Sequence, residues 1–217
     1  MVHEHPRAYR SELRAQQALA TRQRIVEASA RLFATNGYQA TTIAAIAREA
    51  GVSAETVKAA ASKAALLIAA FEVTFSGSEG KTSLSDTEVA AGVLDLPDDV
   101  FFDTVLARIA EANARAHALW TVLLGAALSD PVVDEALQGI LTHRAADNVQ
   151  FVTELVRRGI APALPDVDAA AAAVSFLLSP EAYQQLVVQS GWTQGAYLAW
   201  LHRAVESELR RDVSPAR

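Results

Sequence analysis

Residues 42–57 read Thr42-x3-Ile46-Ala47-x3-Gly51-Val52-Ser53-x3-Val57. This spacing can set one short helix across another and hold the second out for contact. Ala47 has to be small where the second helix crosses close above it. Gly51 stands where the first helix ends and a left-handed residue costs least. Ile46, Val52 and Val57 supply the small core that holds the angle, and Ser53 caps the helix that would be offered to DNA. Thr42 and the pair Ser62-Lys63 begin neighbouring helices, whose free N–H groups and partial positive charge suit phosphate. Spacing alone also fits an ordinary αα-corner. Charge adds weight to the DNA reading. Residues 1–63 hold nine bases and five acids, or +4, whereas the remaining 154 hold 10 bases and 20 acids, or −10. A basic end on an acidic body suits a polyanion at that end.

A second group of residues could recognise a small molecule. Phe75, Phe102, Asn113, His117, Trp120, His143, Asp147 and Phe151 set polar groups among aromatics. His143 and Asp147 are four apart and share a helix face, and His117 and Trp120 are three apart on another. Packing with a few satisfied polar groups would use the same residues. No catalytic constellation is present: the sequence has no Gly-rich phosphate loop, no Gly-x-Ser-x-Gly and no His-Glu-x-x-His. His3 and His5 flank Glu4 without a His-x3-His pair, so no metal site or cofactor is expected. The lack of cysteine excludes thiolate chemistry, Cys-ligated zinc and disulfides.

These residues need helices to place them. Of 217 residues 45 are alanine, apolar residues recur at three and four, and no run alternates with period two. One helix is expected from Thr21, with Ile25, Leu32 and Phe33 on one face and Asn36-Gly37 as its stop. Short helices over about 42–50 and 54–61 follow, then one from about Ser62 carrying Leu66, Leu67, Ala70, Phe71 and Phe75. Residues 76–87 read as a loop. Asp98 or Asp99 can cap the next helix, and 119–128 reads as a helix buried on most sides. Asp130-Pro131 opens a long helix to about Arg158. After a break over 159–166, helices are expected over 167–189, interrupted at Ser179-Pro180, and over 193–211. The apolar charge-free runs 116–129 and 169–180 fall short of the roughly 18–20 apolar residues of a membrane span. Met1–Arg10 lacks the apolar core of a secretory signal, so the cytoplasm is the expected compartment.

Thr21-Arg22-Gln23-Arg24-Ile25-Val26-Glu27-Ala28, Leu32-Phe33-Ala34, Asn36-Gly37-Tyr38 and Ala40-Thr41-Thr42-Ile43 resemble the TetR-type bacterial transcriptional regulators. So do Ile46-Ala47-Arg48-Glu49-Ala50-Gly51-Val52-Ser53, Thr56-Val57 and Ser62-Lys63-x2-Leu66-Leu67. The likeness is close over about 21–70; beyond it only the all-helical architecture is similar. It implies DNA contacts at Thr42, at Ser53, Ala54, Glu55, Thr56, Lys58 and Ala59, and at Ser62 and Lys63. Of these, Glu55, Thr56 and Lys58 would read base edges, while Ala54 and Ala59 offer only apolar contact. Arg7, Arg10 and Arg14 would be an arm or a solvated tail. One departure stands out. The family usually places Tyr-x-x-Phe and a further residue after the Thr-Val of the recognition helix, but here Lys58-Ala59-Ala60-Ala61 is one residue shorter and has no aromatic ring. Lys58 would then take the phosphate role of the tyrosine.

The resulting expectation is an all-α chain of about nine to ten helices. Residues 1–20 form an arm or helical extension, 21–67 the helix-turn-helix domain, and 68–217 a helical ligand-binding and dimerisation body. The function implied is a regulator, as a repressor, binding a palindromic operator as a homodimer and answering a small-molecule effector, with no membrane involved. Two rivals remain. One is an all-α binding or structural protein with a vestigial helix-turn-helix, and the other an enzyme using His117 or His143 as a base.

Overall fold

The computed structural model describes residues 6–80 and 92–210, with side chains from Arg14 onward. His3, Glu4, His5, most of the expected 76–87 loop and residue 211 lie outside the described residues. The elements are α1 (Pro6–Ala40), α2 (Ile43–Ala50), α3 (Ala54–Ala60), α4 (Lys63–Ser76), α5 (Asp98–Ala127), α6 (Pro131–Arg157), α7 (Val167–Leu177), α8 (Pro180–Tyr183) and α9 (Gln194–Leu209). A π-helical turn (Gln184–Gln189) continues α8. Among the described residues there are no strands, and eight helices run seven residues or more. The lower count has a simple cause: the segments around Phe101 and 119–128 are one continuous helix, α5.

Local chemistry sets most boundaries. Thr42, Ser53, Ser62, Asp130, Asp166, Ser179 and Thr193 each accept a backbone N–H at the start of their helix. Gly51 closes α2 in the left-handed region at φ 67°, with its N–H on the Ala47 and Arg48 carbonyls. Gly37 interrupts α1 at φ 75° and ψ 177°. The expected stop is therefore a kink, and the last residues of α1 leave at an angle. α1 also starts earlier than Thr21, so the arm is a helical extension from Pro6, and Arg14–Ala20 along it are exposed. The expected cap at Asp98 or Asp99 is not made: Pro97 precedes α5 with no side-chain cap, and Asp98 instead meets Arg158 at 2.8 Å. The segment 119–128 is less enclosed than expected. Thr121 and Gly125 face solvent, and Leu128 is 90% exposed at the α5–α6 corner.

Two apolar clusters hold the helices. The first packs Ile25, Phe33, Ile46, Val57, Leu66 and Leu67 together with Leu119, Trp120 and Leu123 of α5 and Val133 and Leu137 of α6. The helix-turn-helix thus shares its core with the C-terminal half of α5. The second cluster joins Phe101, Phe102 and Leu106 of α5 to Val152 and Leu155 of α6, Val174 of α7, and Tyr197, Leu201 and Val205 of α9.

Arg158 pins the connection into α5. Its guanidinium donates to the Leu94 and Leu96 carbonyls at 2.6 and 2.8 Å, stacks over Phe101 at 4.2 Å and pairs with Glu154. Hydrogen bonds from Arg157 and Arg158 pull the Glu154 carboxyl from its ordinary 4.5 down to about 2. A carboxyl depressed by folding stabilises the fold above pH 4.5 and loses that contribution as pH falls through about 2. The acid side of a thermal-melt profile should therefore be flatter across this window in Glu154→Gln. An unchanged acid limb would mean that this ion pair carries no folding energy.

Candidate DNA interface and effector cavity

α2, the Gly51-Val52-Ser53 turn and α3 form the helix-turn-helix. Val57 is fully buried beneath α3, and Ile46 and Ala47 are buried beneath α2. Thr42, Ser53, Glu55, Thr56, Lys58, Ala59 and Ser62 are all exposed, and Ala54 and Lys63 are half-buried. The expected contact residues therefore lie on the outer side of α3 and at the starts of α2 and α4. Thr42, Ser53 and Ser62 accept from the N–H groups of Ala45, Thr56 and Ala65 at 3.0–3.1 Å. A hydroxyl used as an acceptor keeps its proton, so each cap can still donate to a phosphate oxygen. Lys58 sits 3.4 Å from Glu55 with both side chains well exposed, an ion pair weak enough to open for a polyanion. The missing aromatic anchor leaves Ala60 and Ala61 only partly buried against the first cluster. Arg22 of α1 donates to the Ala60 carbonyl at 3.1 Å and pairs with Glu79 at 2.7 Å, tying off the shortened end of α3.

Lys63 faces a different set of groups. Its ammonium lies 4.5 Å over the Tyr38 ring and 3.4 Å from the Gln39 carbonyl, and burial lowers its pKa. The Tyr38 hydroxyl donates to Asp130 at 2.6 Å, and Gln39 reaches Ser129 at 3.5 Å. Burial, then the Asp130 hydrogen bond, raises the pKa of Tyr38, and the same hydrogen bond lowers that of Asp130. Asp130 also caps α6. One carboxylate therefore fixes the start of α6 to the kinked end of α1 and faces the start of α4.

Between α4, α5 and α6 lies a cavity of about 400 Å³. Its walls are mainly apolar, from Ile68, Phe71, Phe75, Phe101, Val105, Ile109, Ile140 and Phe151. Of the residues singled out in the sequence, Phe75, Asn113, Trp120, His143, Asp147 and Phe151 line it. Phe102 and His117 do not. Phe102 turns to His202 at 4.9 Å between ring centres, and His117 bonds Gln184 at 2.8 Å beside Tyr183. Both lie on α5 faces that meet the C-terminal helices.

Sequence reasoning missed Arg144. It lies 5.4 Å over the Trp120 ring, burial lowers its pKa, and Glu181 approaches only to 3.9 Å. Its signal was present: 133, 137, 140, 144, 148, 151 and 155 form the inward stripe of α6, and position 144 puts a charge in it. Arg115 was also missed; it donates to the Thr74 and Phe75 carbonyls at the end of α4. Among the described residues no group of three or more His, Asp and Glu side chains could hold a metal ion, and no single helix is long and apolar enough to cross a membrane.

Residues 25–70 match the family model for bacterial regulatory proteins of the tetR family. They are a TetR-family DNA-binding domain. The match spans the end of α1, all of α2 and α3 and half of α4, the segment that carries the exposed contact residues. The whole fold is similar to solved TetR-like structures. The fatty acid degradation regulator FadR from Bacillus halodurans aligns at TM-score 0.66 and 16% identity, over 88% of this chain and 96% of that one. A Rhodococcus sp. protein described as a TetR-family transcriptional regulator aligns at 0.64 and 17%, over 88% and 98%. FadR from Bacillus subtilis, solved in complex with stearoyl-CoA, aligns at 0.61 and 17%, over 87% and 97%. At these identities the likeness concerns the fold. No curated protein matches the chain in sequence. A TetR-type DNA-binding domain joined to a helical C-terminal body is the fold this chain shares with those structures.

Proposed function

We propose that the protein is a ligand-responsive repressor that binds a palindromic operator as a homodimer and leaves it when a small apolar effector enters the α4–α5–α6 cavity. The observation that carries this reading is a shared pair of helices. α4 and α6 wall the cavity, and Lys63, the first residue of α4, and Asp130, the cap of α6, meet the kinked end of α1 through Tyr38 and Gln39. Spreading α4 from α6 to admit a ligand would move the recognition helices. Two such helices need a separation of about 34–36 Å to enter successive major grooves. A ligand that favours another spacing weakens DNA by the coupling energy, typically 1–3 kcal/mol, and DNA weakens the ligand by the same factor. The complex of Bacillus subtilis FadR with stearoyl-CoA is consistent with an apolar effector in this architecture.

The test is genome-wide footprinting of the tagged protein, followed by mobility shifts on the recovered sites with and without candidate effectors. Specific sites released by a compound support the reading. An absence of any sequence-specific site would favour the rival, a helical binding protein with a vestigial helix-turn-helix, for which the seven-residue α3 is the one structural argument.

A dimer would be built on the C-terminal helices. Phe176 of α7, Val188 of the π-helical turn and Trp192 are 67%, 48% and 37% exposed, large apolar groups that one protomer leaves uncovered. Light scattering should find the wild type at twice the chain mass and Phe176→Glu/Val188→Glu as folded monomers. A dimer that survives both charges would place the interface elsewhere. Deleting 162–217 cannot serve instead, because it removes Val174, Tyr197, Leu201 and Val205 from the second core.

A further inference from the structure

From the polar groups at one end of the cavity we infer that its ligand is an apolar chain ending in a single carboxylate, held by Arg144 and the Trp120 indole N–H. The inference rests on the effector reading above and specifies its chemistry. Trp120 is 2% exposed, lines the cavity, and its Nε1–H has no hydrogen-bond partner. Arg144 Nη1 has none either; its nearest acid, Glu181, stands at 3.9 Å and is partly exposed. The guanidinium lies 5.4 Å from the centre of the indole ring, so the two unsatisfied donors belong to side chains in contact at one end of the cavity. A buried donor left without an acceptor costs about 1–3 kcal/mol, so the site favours a group that accepts from both. A carboxylate has two acceptor oxygens, and arginine binds it better than any neutral acceptor.

The acids that line the cavity are already engaged. Glu72 accepts from the Gly80 N–H at 2.8 Å, Glu154 is held by Arg157 and Arg158, and Asp147 has an interaction of its own. A cationic ligand would have to displace those bonds, while an anion at Arg144 competes only with the 3.9 Å approach of the partly exposed Glu181. The rest of the wall suits an extended tail. From Trp120 to Phe101 the cavity follows 19 residues of α5, about 28 Å at 1.5 Å per residue. Val105, Ile109 and Phe151 line its length and the Phe101 ring its far end.

The experiment compares four twelve-carbon probes on the full chain by titration calorimetry below their micelle concentrations. They are dodecanoate, dodecanol, dodecyltrimethylammonium and dodecanoyl-CoA. A Trp192→Phe/Trp200→Phe protein, whose only indole is Trp120, reports where they bind. Dodecanoate should bind at least tenfold more tightly than dodecanol and the ammonium, and should change Trp120 emission. Arg144→Gln should remove that preference while leaving dodecanol within about twofold of its wild-type affinity. Should Arg144→Gln misfold, the probe ranking on the unaltered chain still decides. Equal binding of acid and alcohol, or tighter binding of the ammonium or the thioester, would overturn the carboxylate inference and leave an apolar effector site standing. If no probe binds or alters Trp120 emission, while compounds that release operator DNA do so from elsewhere, the effector reading of the cavity falls as well.

Discussion

Operator affinity is expected to fall by about 10³–10⁵-fold between 50 and 200 mM salt, the largest effect the molecule should show. A dimer neutralising roughly 6–10 phosphates releases the condensed counterions, and each release is penalised as salt rises. The chain as a whole carries −6, so the attraction must come from the basic end alone, and the acidic body opposes it at a distance that salt also screens. Lys63 should be one of the contributors. Its ammonium is held at the start of α4 by the Tyr38 ring and the Gln39 carbonyl, which orders it before DNA arrives. Lys63→Ala should weaken all sequences alike and reduce the salt slope by about one per protomer, whereas Thr56→Ala should mainly blur sequence preference. Affinities measured by fluorescence anisotropy across a salt series separate the two. If Lys63→Ala leaves both affinity and slope unchanged, the ammonium serves the Tyr38–Asp130 junction and not the DNA.

The second large effect concerns the fold beneath the recognition helix. Phe33 is fully buried, stacks on Tyr38 at 5.9 Å between ring centres, and sits in the cluster that contains Ile46 and Val57. Truncating a buried phenylalanine to alanine costs about 3–5 kcal/mol through lost transfer energy and the cavity left behind. That is a large share of the 5–15 kcal/mol of a typical domain. Phe33→Ala should shift the urea midpoint strongly downward and abolish DNA binding while leaving the second core to Tyr197, Leu201 and Val205. The first cluster also includes Trp120 and Val133, so the loss should reach the cavity. A change below about 1 kcal/mol would show that α2 and α3 do not depend on this packing.

Much of this arrangement was legible from residue types alone. Thr42, Gly51, Ser53, Ser62 and Asp130-Pro131 announce helix ends through local hydrogen bonding, which acts within four residues and needs no knowledge of the fold. Six of the eight candidates line the cavity, and each stands out in the sequence as an aromatic or polar residue inside an apolar helix. The misses at Phe102, His117 and Asp98 were non-local. Phe102 and His117 occupy the same helix as the lining residues, but the face that meets α9 and the π-helical turn was invisible without the packing. Asp98 looked like a cap, and Arg158, sixty residues away, claims it. The Tyr38–Asp130 bond spans 92 residues and has no sequence signal. Arg144 was overlooked because a charge on a helix is ordinarily read as solvated; only its register on the inward stripe argues otherwise.

Gly37 constrains how the chain can change over generations. Its φ of 75° and ψ of 177° fall in a region open essentially to glycine alone, where another residue is strained by about 1–3 kcal/mol. A Cβ built there would meet nothing within 4 Å, so the restriction lies in the backbone and not in the space around it. No second substitution nearby can make room, because room is not what is lacking. The junction beyond Gly37 can be rebuilt with other side chains, and the cavity can be recut for other molecules. Every single-base change that replaces the glycine at 37 adds a Cβ that this backbone conformation strains.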